Sequence, residues 1–453
     1  MNAGYSGETG REHTDLSKRN MSYQVNSAYA NALLYYYSGG KPAYAENAVR
    51  ILNAYAHTFK GFVSTDANSH VGDLFAAWMS QILVRAAEIV RYTYKPGPGM
   101  AALDVRAFES MLREAFVPRL EDGTAHVNNW RTSAAEGLMN IGVFLDDRQI
   151  YNRAIEIWRE VTPSYIYLSS DGLRPGSLSV GTEAQLDCLW VNNSSPECHT
   201  SPKSRPGLIY QNGQSQETCR DIWHASAGLG GIINAAETAF LQGDNLYGEE
   251  RDRITTGLSY MLQLSQSIRK DRYPKDFCAG AKAYPERATE GEALSKNWDS
   301  TTPLPAVVAL NHYTDRQGMM FSAVRIPGYP DGSPSYNPVR EYVNMLVADS
   351  PDTYGYVTSW QVLTHHDVGV GVPPGAAMFV PPSARPSSAE VERPSAAQGP
   401  KAASPAPIGL TLGFACVLIS IAGILVLLHS RNRAQRRRPR RSEIRPGQGE
   451  HSR

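Results

Sequence analysis

The chain has 453 residues, and its 44 Lys and Arg are balanced by 44 Asp and Glu. The charge is unevenly distributed, because 35 of the basic and 42 of the acidic residues precede position 429, a net of about −7. This balance argues against nucleic acid as a partner. A polyanionic ligand would have to meet a locally basic cleft rather than a basic surface.

The first seventeen residues, MNAGYSGETGREHTDLS, contain no apolar segment like that of a signal peptide. Because features described below predict an extracellular domain, we expect that the sequence lacks its original start or that the domain is exported by another route. N-x-S sequons at Asn20, Asn192 and Asn193 fit secretion and predict N-glycosylation.

Amphipathic helices are predicted over most of the chain before position 171. Apolar residues recur at i, i+3 and i+4 over 23–39, 43–59 and 70–94, and Gly or Pro follows each segment. The later helical segments are DVRAFESMLREAFVPRL, SAAEGLMNIGVFL, DRQIYNRAIEIWREV, SAGLGGIINAAETAFLQ and RDRITTGLSYMLQL. No stretch before Asp171 alternates as a strand. The predicted helix pairs favour an all-α fold. Because they show no fixed-period repeat, residues 1–370 are predicted to form an α/α toroid rather than a regular solenoid.

Residues 170–213 show no periodicity and are predicted to form an irregular loop, a kind of segment that is often functional. Four cysteines in the predicted extracellular part suggest two disulfides in an oxidising compartment. The favoured pairs are Cys188–Cys198 and Cys219–Cys278, and the other two pairings stay open. Zinc binding by these cysteines is disfavoured because no pair has CxxC spacing.

Two segments concentrate polar residues, HVNNWR at 126–131 and GQSQETCRDIWHASAGLGGIINAAETA at 213–239. The second is predicted to open a helix on which Glu217, Arg220, Asp221 and His224 share one side. That side is either a solvated face with an Arg–Glu pair or the wall of a cleft. The long polar loop that precedes it favours the cleft.

Three segments follow the predicted helical domain. Residues 371–407 contain nine Pro and few large apolar residues, and are predicted to be a disordered linker. Residues 408–428, IGLTLGFACVLISIAGILVLL, carry no charge and are long enough to cross a hydrocarbon core of about 30 Å as one helix. The tail at 429–453 has seven Arg between Arg431 and Arg441. The positive-inside rule predicts a cytosolic tail and a single-pass type I protein with an extracellular domain.

The sequence resembles the alginate lyase superfamily of polysaccharide lyases over 23–320. The matching segments are AVRILNAYAHTFKGF, NNW followed by GVFLDD, QETCRDIWHASAGLGGIINAAETAFLQGDNLYG and LNHYTDRQGM. The resemblance implies an incomplete α/α toroid, cleavage of an acidic polysaccharide by β-elimination, and no obligatory metal or organic cofactor. We expect the protein to be a monomer.

β-Elimination on a 1,4-linked uronate removes the poorly acidic hydrogen on C5, beside the carboxylate. The carboxylate must be neutralised so that charge can develop, which amide donors, Arg and His⁺ can do. A base takes the C5 proton and an acid protonates the leaving O4, roles that suit His and Tyr.

The resemblance gives each candidate residue a role. Asn129 would neutralise the carboxylate, Arg220 would be the cleft Arg, and His224 would be the base or a second neutraliser. Tyr284 is preferred over Tyr313 as the acid. The other substrate-binding candidates are Asn128, Trp130, Gln216, Glu217, Trp223 and Tyr313.

Each assignment has a structural alternative. Asn129 could cap a helix, Arg220 could pair with Glu217, and Tyr313 could belong to the core. Trp130, Trp190 and Trp223 could stack on sugar rings or pack in the core. The chain departs from the better-known alginate lyases, because Trp130 stands where they have His, and Ala227 follows Arg220 where they have Tyr.

The predicted function is therefore a cell-surface lyase acting on a 1,4-linked polyuronate such as alginate or glucuronan. A non-catalytic, membrane-anchored glycan-binding module is the alternative. A glycoside hydrolase would need two opposed carboxylates, and Glu217 and Asp221 are predicted to share one helix face.

Overall fold

The computed structural model describes residues 2–5, 16–64, 70–176, 182–192, 198, 210–219, 222–269, 305–319, 360 and 364–365. All of them belong to the unit Met1–Ala384. The predicted linker, the predicted span at 408–428 and the basic tail lie outside the described residues. Within the described part of the chain, no helix is both long and apolar enough to cross a membrane.

The described residues are mostly helical, as predicted. The helices are α1 (Leu16–Tyr37), α2 (Pro42–Thr58), α3 (Val71–Thr93), α4 (Val105–Met111), α5 (Val117–Gly123), α6 (Asn128–Phe144), α7 (Arg148–Tyr165), α8 (Glu183–Asn192), α9 (Ile222–Leu241), α10 (Leu246–Glu249), α11 (Arg251–Arg269) and α12 (Pro305–Leu310). π-Helical turns at Leu112–Phe116 and Asn311–Arg316 follow α4 and α12.

The sequence did not predict two short strands. β1 (Asn2–Tyr5) and β2 (Gly61–Ser64) form a parallel pair, with Asn2 opposite Gly61. Strands of four residues are too short to show an alternating pattern, so these could not be recognised from periodicity.

Helices α6 and α9 pack side by side and run parallel. Glu136 contacts Asn234 at 3.4 Å, and one turn further along both helices Asn140 accepts a hydrogen bond from Thr238 at 2.7 Å. Because the paired positions advance together, both helices begin at the same end of the domain.

Helix α3 packs on the other side of α6, also in parallel. The Arg85 guanidinium lies 2.9 Å from a Glu136 carboxylate oxygen, and Arg91 donates to the Phe144 carbonyl at 2.7 Å. Helix α1 follows α3 in the same direction, because Tyr35 near the end of α1 bonds the carbonyl of Thr93 near the end of α3. The N-terminal ends of α1, α3, α6 and α9 therefore lie at one end of the helical layer.

Helix α7 packs antiparallel against α9. Its first turn contributes Tyr151, which bonds Asp244 at 2.7 Å, and its middle contributes Trp158, which donates to the Ile232 carbonyl at 2.9 Å. Asp147 caps α7 by accepting from the Gln149 and Ile150 N–H groups. The last residue of α7, Tyr165, is thereby placed beside the N-terminus of α9.

Of two predictions between positions 170 and 198, one needs correction and one is confirmed. The segment predicted to be irregular contains α8, whose Leu186, Leu189 and Trp190 are buried. Short flanking runs of Gly, Pro and Asn hid its period. The Cys188–Cys198 disulfide is confirmed, with Cα atoms 5.4 Å apart. Cys219 is also disulfide-bonded, and its predicted partner Cys278 lies outside the described residues.

Candidate functional site

The motif Asn128–Asn129–Trp130 forms the first turn of α6. Asn128 has φ of 62°, a left-handed conformation that Asn tolerates better than most residues. Its side-chain oxygen accepts the Trp130 N–H at 3.1 Å, so Asn128 performs the capping that was the structural alternative for Asn129. The Asn129 side chain therefore needs another explanation.

A turn from the segment before α9 contacts this first turn of α6. The Asn128 N–H donates to Gln216 Oε1 at 3.1 Å, and the Asn129 N–H donates to Glu217 Oε2 at 2.8 Å. Backbone N–H groups at a helix start have no partner within the helix, so these two side chains supply the missing acceptors. The structure thus brings together four of the candidate residues, Gln216 and Glu217 with Asn128 and Asn129.

The placement of Glu217 on a helix was wrong, because α9 begins at Ile222 and Glu217 lies in the preceding turn. Ser215 and Thr218 hold that turn through mutual hydrogen bonds of 3.0 Å, and the Gln216 N–H donates to the Tyr165 carbonyl at 2.8 Å. These contacts replace the helical bonds that a helix starting at Gln216 would make.

Tyr165 joins the two segments, a role that the sequence did not reveal. Its hydroxyl donates to Glu217 Oε2 at 3.1 Å and lies 3.3 Å from the carbonyl oxygen of His224 in α9. The Tyr165 side chain is fully buried. Asn129, Glu217, Tyr165 and His224 are therefore linked in one cluster where α6, α7 and α9 meet.

The Asn129 side chain is buried, and neither its amide nitrogen nor its oxygen has a hydrogen-bond partner among the described residues. Burying an unpaired amide costs about 1–3 kcal/mol, so such a group is uncommon unless a ligand or water completes it. The cost is consistent with the predicted role of Asn129 in binding a carboxylate.

A small pocket of about 20 Å³ opens beside this cluster. Its lining includes Asn128, Arg131, Trp190, Gln216 and His126. The volume holds about one water molecule, so a sugar ring would have to lie across its mouth with only a substituent inside.

Two of the side chains that line the pocket, Arg131 and Trp190, each have a buried hydrogen-bond donor without a partner among the described residues. Arg131 Nη2 is paired with Glu160, but its Nε has no partner among the described residues, and the same is true of Trp190 Nε1. Burial lowers the pKa of the Arg131 guanidinium, and the Glu160 carboxylate opposes that shift. The sequence indicated the segment that contains Arg131 but did not single this residue out.

Trp130 and Trp190, for which sugar stacking and core packing were both left open, have different environments. Trp130 is half-buried, with the His126 ring packed edge-on at a centroid distance of 4.7 Å. Trp190 is 1% exposed and packs edge-on against Tyr210, so its ring belongs to the core, although the residue also lines the pocket.

The remaining candidates do not join this cluster in the described part of the chain. Tyr313 is 1% exposed and donates to the Tyr247 carbonyl at 2.9 Å, which is the core role given as its alternative. Arg220 and Tyr284 lie outside the described residues, as does the side chain of Trp223.

The position of the cluster has an electrostatic consequence. The N-terminal ends of α3, α6 and α9 lie together, and each carries roughly half a positive charge from its aligned peptide dipoles. The first N–H groups of α6 are already bonded by Gln216 and Glu217, and Asp73 lies in the first turn of α3, so two carboxylates of the chain itself occupy this positive end and a ligand anion would be bound by the side-chain donors.

Comparison with known families agrees with this chemistry. Residues 2–176 match the family model for alginate lyase. The match covers 175 of the 453 residues, and over this N-terminal part the chain is similar to the alginate lyase family. A search of curated proteins gave no significant match. The matched part includes Asn128, Asn129 and Tyr165 and ends before Gln216, so the resemblance after position 176 stays a prediction.

The match to the alginate lyase family supports polysaccharide lyase activity in general and an acidic polysaccharide as the substrate. Among the described residues, buried donors without a hydrogen-bond partner lie in the first turn of α6, at Asn129 and Arg131, and in α8, at Trp190. Those donors are suited to a ligand that brings acceptors.

Proposed function

We propose that this protein cleaves a 1,4-linked polyuronate, of the alginate or glucuronan type, by β-elimination. The observation that carries the proposal is a set of buried donors that have no acceptor among the described residues: Arg131 Nε and Trp190 Nε1, in two side chains that line the pocket, and the adjacent Asn129 amide. A uronate carboxylate would supply acceptors to these groups through charge-assisted hydrogen bonds.

The reaction requires groups that neutralise the carboxylate, a base and an acid, and we propose different residues for each role. Arg131 and Asn129 would neutralise the C5 carboxylate so that removal of the C5 proton becomes feasible. His224 is the proposed base. As the electrons of the C5–H bond form the C4=C5 double bond, the C4–O4 bond breaks and O4 takes a proton from the acid, for which Tyr284 remains the candidate.

Glu217 disfavours hydrolysis. Its carboxylate is fully buried and accepts hydrogen bonds from the Asn129 N–H and the Tyr165 hydroxyl. A hydrolase needs two carboxylates facing a bond from opposite sides, and Glu217 is instead engaged in holding α6 and α7 together.

A glycan-binding module without catalysis is the second candidate. It is favoured by the burial of Asn129 and by the small volume of the pocket, because both limit how closely a sugar ring can approach the amide. Such a module would use the same donors to hold a carboxylate without removing the C5 proton.

Product analysis separates these functions. The purified full-length chain would be incubated with alginate, glucuronan and pectate, and the far-UV absorbance of the 4,5-unsaturated product would be followed. A lyase gives this absorbance, a hydrolase gives reducing ends without it, and a binding module gives neither. His224→Ala should reduce the rate at least tenfold; an unchanged rate would remove His224 from the mechanism.

We also propose that the domain acts at the cell surface. The apolar segment at 408–428 would anchor it in the membrane, and the proline-rich linker would connect the domain to that anchor. Alkaline carbonate extraction of membranes from expressing cells tests this. The full chain should stay in the membrane pellet, and a variant lacking 408–428 should be released. Release of both would contradict the anchor.

A further inference from the structure

Three potential metal ligands meet at the beginning of α3. Asp73 in the first turn of α3 lies between two imidazoles: His70 Nδ1 is 3.5 Å and His126 Nε2 is 3.3 Å from the same oxygen, Asp73 Oδ2. The three ligand atoms all lie within 4.8 Å of one another. His126 is 53 residues from Asp73, so the helix packing assembles this group.

The distances match those between the ligands of a tetrahedral zinc ion. Zinc binds His nitrogen and carboxylate oxygen at about 2.0–2.2 Å, so two ligands in a tetrahedron lie roughly 3.4 Å apart. The two measured distances to Asp73 Oδ2 agree with that value. Small rotations of the two rings would bring His70 Nδ1 and His126 Nε2 to the same separation.

Burial and neighbouring groups also suit a bound cation. The Asp73 side chain is fully buried, whereas that of His126 is 26% and that of His70 63% exposed, which leaves a path from solvent and an open position for water. Arg119 Nη1 contacts the other carboxylate oxygen, Oδ1, at 3.4 Å. Asp73 can therefore keep its partner Arg119 while Oδ2 faces the imidazoles.

We propose that His70, Asp73 and His126 bind a divalent transition-metal ion of the zinc type. Two imidazoles and one carboxylate are a donor set that such ions prefer over Ca²⁺ and Mg²⁺, which favour oxygen ligands. β-Elimination does not require this ion, so the proposal is independent of the proposed lyase activity.

The ion would fix the position of the candidate site. The His126 ring packs on Trp130, and the chain runs from His126 directly into the first turn of α6. A metal bridge between His126 and the start of α3 would hold Asn128 and Asn129 in place, in the way that structural zinc ions hold short segments.

Zinc titration of the protein tests the proposal. The full-length chain would be stripped with EDTA, dialysed, and titrated with zinc chloride in a calorimeter at pH 7.5. We expect one site with a dissociation constant in the micromolar range or below. Cobalt should give the visible absorption bands of a tetrahedral or five-coordinate site, a readout that needs no substrate.

Matched variants locate the site. His70→Ala, at the most exposed ligand, and His126→Ala should each weaken zinc binding at least tenfold and remove the cobalt bands. His57→Ala is the control, because His57 Nε2 lies 3.3 Å from Asp104 Oδ2 and forms a similar His–Asp pair that has no third ligand among the described residues. Circular dichroism would verify that each variant is folded.

Each outcome decides the proposal. Loss of binding in both His70→Ala and His126→Ala with retention in His57→Ala supports it. The proposal would be overturned if the wild-type chain bound no zinc, or if the ligand variants bound zinc as tightly as wild type. The contacts of His70 and His126 with Asp73 would then be imidazole–carboxylate hydrogen bonds alone. Failure of the lyase assay would leave the calorimetric result unaffected.

Discussion

Glu217 accepts the backbone N–H of Asn129 at 2.8 Å, across 88 residues of sequence. The same carboxylate oxygen accepts the hydroxyl of Tyr165 at 3.1 Å. One buried side chain therefore fixes the start of α6, the end of α7 and the turn before α9. The carboxylate-binding donors that we propose are held in position through this contact.

Replacing Glu217 should destabilise the fold as well as the site. In Glu217→Ala the Asn129 N–H loses its acceptor while remaining buried, and the Tyr165 hydroxyl keeps its longer contacts with the carbonyls of His224 and Ala225. Leaving a buried donor unpaired costs about 1–3 kcal/mol, so we expect the free energy of unfolding to fall by at least about 2 kcal/mol. Urea denaturation followed by circular dichroism measures this change.

The control for Glu217 is Glu156→Ala, which breaks an exposed pair with Arg153. Exposed ion pairs contribute about 0–1 kcal/mol, so this variant should unfold almost as wild type does. Equal stability of the two Ala variants would show that Glu217 does not hold the three segments together.

Periodicity predicted the helices but not how they meet. The i, i+3, i+4 pattern located α1, α2 and α3 to within a few residues, except that α1 begins seven positions before the predicted Tyr23. The start of α9 was misplaced because bonds to Tyr165 and Asn129 keep Glu217 in a turn, and those partners are distant in sequence. Local propensity contains no information about such contacts.

The candidate site was predicted only in part, for the same reason. The NNW motif was recognisable because three polar or amphipathic residues precede an apolar helix. Tyr165 lies beyond the end of the predicted segment DRQIYNRAIEIWREV, and Asp73 looked like an ordinary acidic residue in a first helical turn. Only the packing of α3, α6 and α7 shows that both lie beside the motif.

Arg131 should determine the affinity for the substrate. Replacing a charged hydrogen-bond donor costs about 1.5–3 kcal/mol, so Arg131→Ala should raise the KM for a polyuronate roughly 10- to 100-fold. Arg131→Lys should recover part of the loss, because it keeps the charge but not the fork of donors. Steady-state kinetics on the wild type and both variants measures the effect.

Arg153→Ala serves as the comparison for Arg131, because Arg153 is an exposed residue of α7 and pairs with Glu156. If both Arg variants raised KM equally, the effect would come from overall charge rather than from the pocket. If Arg131→Ala left KM unchanged, the unpaired Nε would have no part in substrate binding.

Glu136 should make stability depend on pH. Burial raises its pKa to about 7, although Arg85 at 2.9 Å and Asn234 favour the charged form. The folded protein therefore holds a proton on Glu136 that the unfolded chain releases above its ordinary pKa near 4.5. This contribution to stability is fully present below about pH 4.5 and is lost as the pH rises to about 7, by at most about 1.4 kcal/mol per pH unit.

Comparing wild type with Glu136→Gln isolates that contribution, because other carboxylates change stability in both proteins alike. The difference in unfolding free energy should vary between pH 4.5 and 7 and level off above pH 7. Burial also raises the pKa of Glu88 to about 7, against the charge of Arg91, so Glu88→Gln should show a second effect of the same sign. A difference that does not change with pH would contradict a protonated Glu136.

Gly228 should be irreplaceable because Tyr165 occupies the space beside it. A Cβ atom at position 228 would lie 2.0 Å from the Tyr165 hydroxyl oxygen, far inside van der Waals contact. Tyr165 cannot move away without breaking its bond to Glu217, so Gly228→Ala should lower the free energy of unfolding by several kcal/mol, more than the range of about 1–3 typical of overpacked cores.

Gly72→Ala in α3 is the matched control, because its Cβ would lie 3.4 Å from the nearest atom, Phe62 Cβ. Removing a helical Gly there should leave stability unchanged or raise it by up to about 1 kcal/mol. Thermal unfolding of both variants measures the contrast, and a Gly228→Ala protein as stable as Gly72→Ala would mean that Tyr165 is free to leave the cluster.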